Sequence, residues 1–334
     1  DLRWETRGTF NVGAEAALWD NLLILTVAYY HAVTRDMLYE YEVPVPPFVY
    51  NKLLANNGTL SNDGWELGLG ASLLRTRDWG LDANANLTVQ RSRLRSLGGA
   101  CLGMQLTASR ITPIGGMELG AGFHGGNNNV LYQIVGQPLG VFYLPKSTGL
   151  ELQPDGSRRY EIEDLDHNGR INVEDGGDRY VAGQATPKVM LGSNIAVRYK
   201  NWDLTMQING AFGHKIFNAT ALAYMNMTSF PDYNVMRGAP QQNIKDQNVT
   251  DYWLEKGDYV NVDYITLGWN VPLRSRVIQG LRLSCSVNNP WTFTAYSGLT
   301  PMINSHVVNA TIGMDDKRSY PVYRTFSMGV NVQF

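Results

Sequence analysis

Charge is scarce in this 334-residue sequence: 17% of residues are Asp, Glu, Lys or Arg, and 28 basic against 30 acidic residues leave a net charge of -2 at pH 7. So small an imbalance supplies neither the basic surface of a nucleic-acid-binding protein nor an acidic, solvated arm. Cysteine is scarcer still, and Cys101 and Cys285 read as separate thiols rather than a disulfide framework. Long apolar runs are missing too: none approaches the roughly 18 residues of a transmembrane helix, and mean hydropathy is -0.23. That excludes helical spans alone, because a transmembrane barrel shows lipid only every second side chain. The polar start, DLRWETRGTF, has no signal-peptide pattern, so either a leader has been removed or the gene product begins earlier.

What is abundant is glycine, 34 residues, beside 18 Tyr and 8 Trp, a composition of strands and turns. Alternation of period two is strongest at the C-terminus. There Phe326, Met328, Val330, Val332 and Phe334 share one face, and Thr325, Ser327, Gly329, Asn331 and Gln333 the other. Leu281 to Val287 and Leu81 to Val89 divide in the same way. Several such stretches run ten residues or more, where a soluble sandwich uses about five or six and a tilted membrane strand needs roughly 9 to 11. Connections alternate as well. Asp20-Asn21, RTRDWG and Lys200-Asn201 are short, whereas 44–63, 144–187, 214–257 and 295–321 are long and rich in Gly, Pro and Asn. Short turns at one end and long loops at the other are the asymmetry of an outer-membrane barrel. Trp19, Trp79, Tyr199 and Trp202 flank the short turns, where an interfacial aromatic girdle belongs.

The expected fold is all-β, a transmembrane antiparallel β-barrel wall. About eleven strands are expected, near 2–19, 22–43, 64–75, 80–97, 116–124, 130–143, 188–200, 202–217, 259–272, 281–294 and 322–334. Single-chain bacterial barrels have even strand numbers. The odd count therefore makes 1–334 the C-terminal portion of a larger barrel, with 144–187 as a long extracellular loop.

The motifs VGQPLGVFYLPKSTG (135–149), DLDHNGRINVED (164–175), TPKVMLG (186–192), RYKNWDLTMQINGAFG (198–213), YITLGWNVP (264–272), TFTAYSGLTP (292–301) and YPVYRTFSMGVNVQF (320–334) follow one another in a recognisable order. Over almost its whole length the chain resembles the SusC/RagA family of TonB-dependent outer-membrane transporters. The resemblance implies a 22-stranded barrel whose plug domain is absent from this chain, with TonB acting through that plug. It further implies a SusD-like surface lipoprotein as partner, contact with outer-membrane lipid, and import of an oligosaccharide or oligopeptide into a Gram-negative cell of Bacteroidota type. Leu144-Pro145, Pro290-Trp291 and Thr300 depart from the family pattern, which argues against transferring any ligand contact. The rival reading is a passive porin or a structural, adhesin-like barrel.

No catalytic set emerges: five scattered histidines, no HExxH, no Gly-x-Ser-x-Gly and no Walker loop give no basis for an enzyme. Glu66, Asp82, Arg198, Asp203 and Arg282 occupy the polar phase of their strands and are expected to face a lumen or plug. Tyr224, Tyr233 and Trp253, in the 214–257 loop, are candidate ligand-stacking rings. DLDHNGRINVED has calcium-loop spacing. Asp164, Asp166 and Asn168 would present side-chain oxygens, Arg170 its carbonyl and Asp175 the closing carboxylate, a set of hard oxygens suited to calcium. Without flanking helices, the ion would brace a loop and not signal.

Overall fold

The computed structural model describes residues 2–101, 104–107, 111–116, 129–228, 230–275, 277–303, 312–316 and 320–334. Nine long strands form one sheet in chain order: β1 (Thr6–Leu18), β2 (Leu23–Glu42), β3 (Lys52–Arg75), β4 (Trp79–Ser96), β5 (Val189–Tyr199), β6 (Trp202–Phe212), β7 (Tyr259–Asn270), β8 (Gly280–Thr294) and β9 (Thr325–Gln333). Every neighbouring pair is antiparallel. The connections 19–22, 76–78, 200–201 and 271–279 lie at one end, and 43–51, 97–188, 213–258 and 295–324 at the other. The first short turn is made by three consecutive left-handed residues, Trp19 (φ 51), Asp20 (φ 52) and Asn21 (φ 63). Asp and Asn tolerate that region better than most residues.

Register turns the alternation of single strands into a property of the whole sheet. Leu18, Leu23, Ala71, Ala83, Ile195, Met206, Ile265, Val287 and Phe326 are successive cross-strand partners, so one apolar row crosses all nine strands without a polar interruption. Aromatic rings bound the apolar face. Towards the short turns, Trp79 and Tyr199 lie 4.3 Å apart and Trp202 stacks on Trp269 at 5.2 Å. Towards the long loops, Tyr29 meets Trp65 at 5.0 Å, and Trp65 faces Val89 across the ladder. Trp79 and Val89 are ten positions apart on β4. At about 3.3 Å per residue and a tilt near 40°, the two belts stand about 25 Å apart. That is the height of the apolar band of an outer-membrane barrel.

Two expected strands need correction, and a third cannot be compared. The 116–124 stretch lies almost entirely outside the described residues. The 130–143 stretch is not a wall strand: it divides into Asn129–Ile134 and Val141–Pro145, which belong to a separate four-stranded sheet with Ile111–Gly116 and Arg179–Gln184. Gly136 (φ 94) and Gly140 (φ 66) adopt left-handed conformations between the two halves and end the extended run. The third wall strand begins at Lys52 rather than near 64. Its Asn- and Gly-rich first half is held by pairing with the upper part of β2 and by a small core of Tyr41, Val43, Ala55 and Leu106.

Close packing lies elsewhere, in the long loops. Val130, Leu131, Phe142, Leu144, Phe217, Leu222, Ile244 and Met314 form a core and are fully buried. The hairpin Ser147–Leu152/Arg158–Ile162 joins this body through backbone bonds Arg158 N–H to Asn243 O (2.9 Å) and Lys245 N–H to Arg158 O (2.9 Å). Met314–Asp315 adds a parallel pairing to Phe217–Asn218. Loops far apart in sequence thus fold into one cap over the end of the wall.

Candidate functional site

Two arrangements of polar groups stand out, one in the cap and one on the wall. In the cap, the 164–178 segment coils on itself. His167 (φ 57) and Gly169 (φ 79) make the tight turn. Asp164 then accepts from the N–H groups of Asn168 (3.2 Å) and Gly169 (2.7 Å). Asp166 accepts from the backbone and side-chain amides of Asn168 (3.1 and 2.8 Å), and Asn168 Oδ1 accepts from the Arg170 N–H (2.8 Å). The Gly169 N–H, foremost among these bonds, holds the Asp164 carboxyl below its ordinary pKa. Arg170 itself is exposed.

The carboxylate that the fold gathers beside Asp164 and Asp166 is Asp178, three residues beyond the expected Asp175. Carboxylate oxygens of Asp164, Asp166 and Asp178 all lie within 4.8 Å of one another. Asp178 is 1% exposed and accepts from the N–H groups of Leu165 (2.8 Å) and Asn172 (2.7 Å). Asp175 is engaged elsewhere, accepting from the Tyr132 hydroxyl (2.5 Å) and from Arg179 (3.0 Å). Gly176 (φ 85) and Gly177 lengthen the loop so that the aspartate three residues further on reaches the cluster. The Gly-Gly pair after Asp175 was the available signal. Each carboxylate oxygen retains acceptor capacity beyond its N–H bond, and a set of hard oxygens fits calcium better than a soft metal.

The three candidate stacking rings have different surroundings. Trp253 is part of the cap core and donates its indole N–H to the Tyr160 hydroxyl at 2.8 Å. Burial, foremost, raises the pKa of that hydroxyl. Tyr224 ends the helix Ala219–Tyr224 and is half-buried. Tyr233 is 50% exposed and presents its ring to solvent. Of the three, Tyr233 alone offers the open face that stacking on a sugar or peptide requires.

On the wall, the expected polar face carries a bidentate ion pair. Arg282 on β8 donates Nη2 to Asp203 Oδ2 at 2.7 Å and Nη1 to Asp203 Oδ1 on β6, two strands away. Gly268 on the intervening β7 makes that reach possible, because a Cβ there would collide with both partners. On the same phase Asp82 accepts from the Ser72 hydroxyl (2.5 Å). Arg198 lies over Gly80, and Glu66 is paired in register with Ala28 and Thr88. These charges sit opposite the apolar rows, as the alternation requires. The sheet thus carries charge on one face and apolar side chains on the other.

Comparison with known proteins agrees with this geometry. The family model for TonB dependent receptor-like β-barrels matches residues 1–290. TonB-dependent receptor P3 of Formosa agariphila is 28% identical across the whole of this chain, which covers 34% of that relative. TonB-dependent receptor SusC of Bacteroides thetaiotaomicron is 22% identical across the whole chain, which covers 32% of it. The structure of the RagAB peptide transporter superposes with a TM-score of 0.73 at 18% identity, covering 99% of this chain and 36% of the other. The chain thus spans about a third of the length of these relatives. With its up-and-down sheet, banded apolar face and charge-bearing opposite face, it belongs to the TonB dependent receptor-like β-barrel family.

Proposed function

We propose that the protein containing this chain is a TonB-dependent importer of the outer membrane, in which the nine strands form part of the barrel wall. The long-loop end faces the outside of the cell, where a SusD-like lipoprotein closes over it. The cargo is an oligosaccharide or an oligopeptide. One observation carries the reading: in a chain of this family, an apolar face banded by aromatics about 25 Å apart backs directly onto a charged face. A gene deletion tests it. Cells lacking the gene should lose uptake of one class among offered glycans and peptides, and deletion of TonB should abolish the same uptake. Uptake independent of TonB would favour the passive pore.

The Asp164, Asp166 and Asp178 cluster belongs to this proposal as a calcium brace of the cap. Extracellular calcium modules bind with dissociation constants of roughly 0.1 to 1 mM, so an ion there would be a lasting support. Replacing Asp164 and Asp166 with Ala should lower the calcium content of the purified protein and loosen lipoprotein docking. Unchanged values of both would remove calcium from the account.

A further inference from the structure

Where the upper part of β4 extends beyond its pairing with β5, a cavity of about 740 Å3 separates it from the cap. Arg91, Arg93, Lys188, Lys215 and Lys256 line it. Among the described lining residues the one carboxylate is Asp258, whose Oδ1 already accepts the Gly213 N–H at 2.6 Å. None of the five cations forms an ion pair among the described residues. Lys215 and Lys256 are direct cross-strand partners, a like-charge pairing that is destabilising unless something opposes it. His214 also lines the cavity; it is 7% exposed, and among the described residues its Nδ1 has no hydrogen-bond partner. A buried polar atom with free hydrogen-bonding capacity beside five cationic side chains gives the cavity the chemistry of an anion site.

Register places two of these cations on one side of the sheet. Arg91 and Arg93 share the phase of Leu87 and Val89, which is the apolar, lipid-facing phase. They follow the Trp65–Val89 belt by one and two rows, so Arg91 stands about 5 Å above it. Both are exposed. That is the level of lipid headgroups, and Arg is suited to bidentate recognition of phosphate.

We propose that this cavity binds a phosphate group carried by an outer-leaflet lipid headgroup. The assignment of leaflet rests on the proposed orientation, long loops outward. The full-length protein, purified and placed in nanodiscs, is titrated with diphosphorylated lipid A, with dephosphorylated lipid A, and with inorganic pyrophosphate. Retained ligand is read by native mass spectrometry. The diphosphorylated lipid should bind at least about tenfold more tightly than either alternative. Arg91→Gln with Arg93→Gln should remove about tenfold of that affinity. Lys215→Gln with Lys256→Gln, on another element, should weaken it similarly and serves if the first variant assembles poorly. Arg77→Gln with Arg274→Gln, the same charge removal in the short turns, should change it less than twofold. Equal binding of both lipids, equal loss in the short-turn control, or preference for free pyrophosphate would overturn the proposal. Uptake is not read in this assay, so failed import would not be mistaken for failed lipid binding.

Discussion

The wall and the cap are built from the same chain by different means. Wall strands are held by long antiparallel ladders, and their apolar side chains point away from the protein: Phe326 is 71% exposed and Met328 91%. In the cap, Phe142, Phe217, Leu222 and Met314 have no exposure at all. A soluble core gains free energy by excluding water from close-packed side chains, whereas the wall relies on its backbone bonds and on lipid to cover its apolar face. The cap should therefore respond to lost volume, and the wall to misplaced charge. Its short turns and long loops divide the two roles between the ends of one sheet.

The largest expected effect is in the cap. Phe217→Ala should cost about 3–5 kcal/mol of local stability, read as faster proteolysis within 213–258 while the heat-modifiable mobility of the barrel is retained. Loss of the barrel itself would show that cap and wall are not separable. Next comes charge on the apolar row. Val287→Arg should cost up to about 2–4 kcal/mol and impair assembly in the outer membrane. Ser286→Arg, one residue away on the opposite face, should cost about 1 kcal/mol for its lost bond to the Thr266 hydroxyl (2.8 Å). Equal assembly of the two variants would contradict the assignment of faces.

A smaller effect concerns the ion pair. Asp203 and Arg282 remain partly exposed, with side chains 28% and 39% accessible, so Arg282→Ala should cost only about 1 kcal/mol. Gly268→Ala should displace the same pair, and the double variant should be no worse than the more damaging single one in denaturant unfolding. The smallest effect is pH-dependent. Asp164 has its folded pKa lowered, so its support of the loop is present above the ordinary carboxylate range. That support is lost as pH falls through the lowered folded value. Amide exchange at Asn168 and Gly169 should accelerate over that acidic window, relative to the intrinsic rate, with little change on β8 and β9.

The wall was legible because alternation is a local signal that survives in any single strand, as at Thr325–Gln333. The aromatic flanks and short turns were legible for the same reason. What local reading missed depends on partners distant in sequence. Residues 52–63 carry the Asn and Gly of a loop yet pair with the upper part of β2. Residues 130–143 carry strand-forming residues but are divided by two left-handed glycines and absorbed into the cap. Within the candidate site, spacing draws attention to Asp164, Asp166 and Asn168, whereas the nearness of Asp178 to the two aspartates depends on Asp175 being held by Tyr132 and Arg179. Trp253 reads as an open ring in a loop until Tyr160, 93 residues earlier, takes its indole N–H.

The two faces of the wall can be measured most directly by a nitroxide scan of residues 325–333 in the full-length protein reconstituted in bilayers. Accessibility to oxygen, which concentrates in lipid, should peak at 326, 328, 330 and 332. Accessibility to a water-soluble nickel reagent should be lowest at those same positions. A profile without period two, or one with its maxima at 325, 327, 329 and 331, would contradict the account of this sheet as a barrel wall facing lipid with its apolar rows.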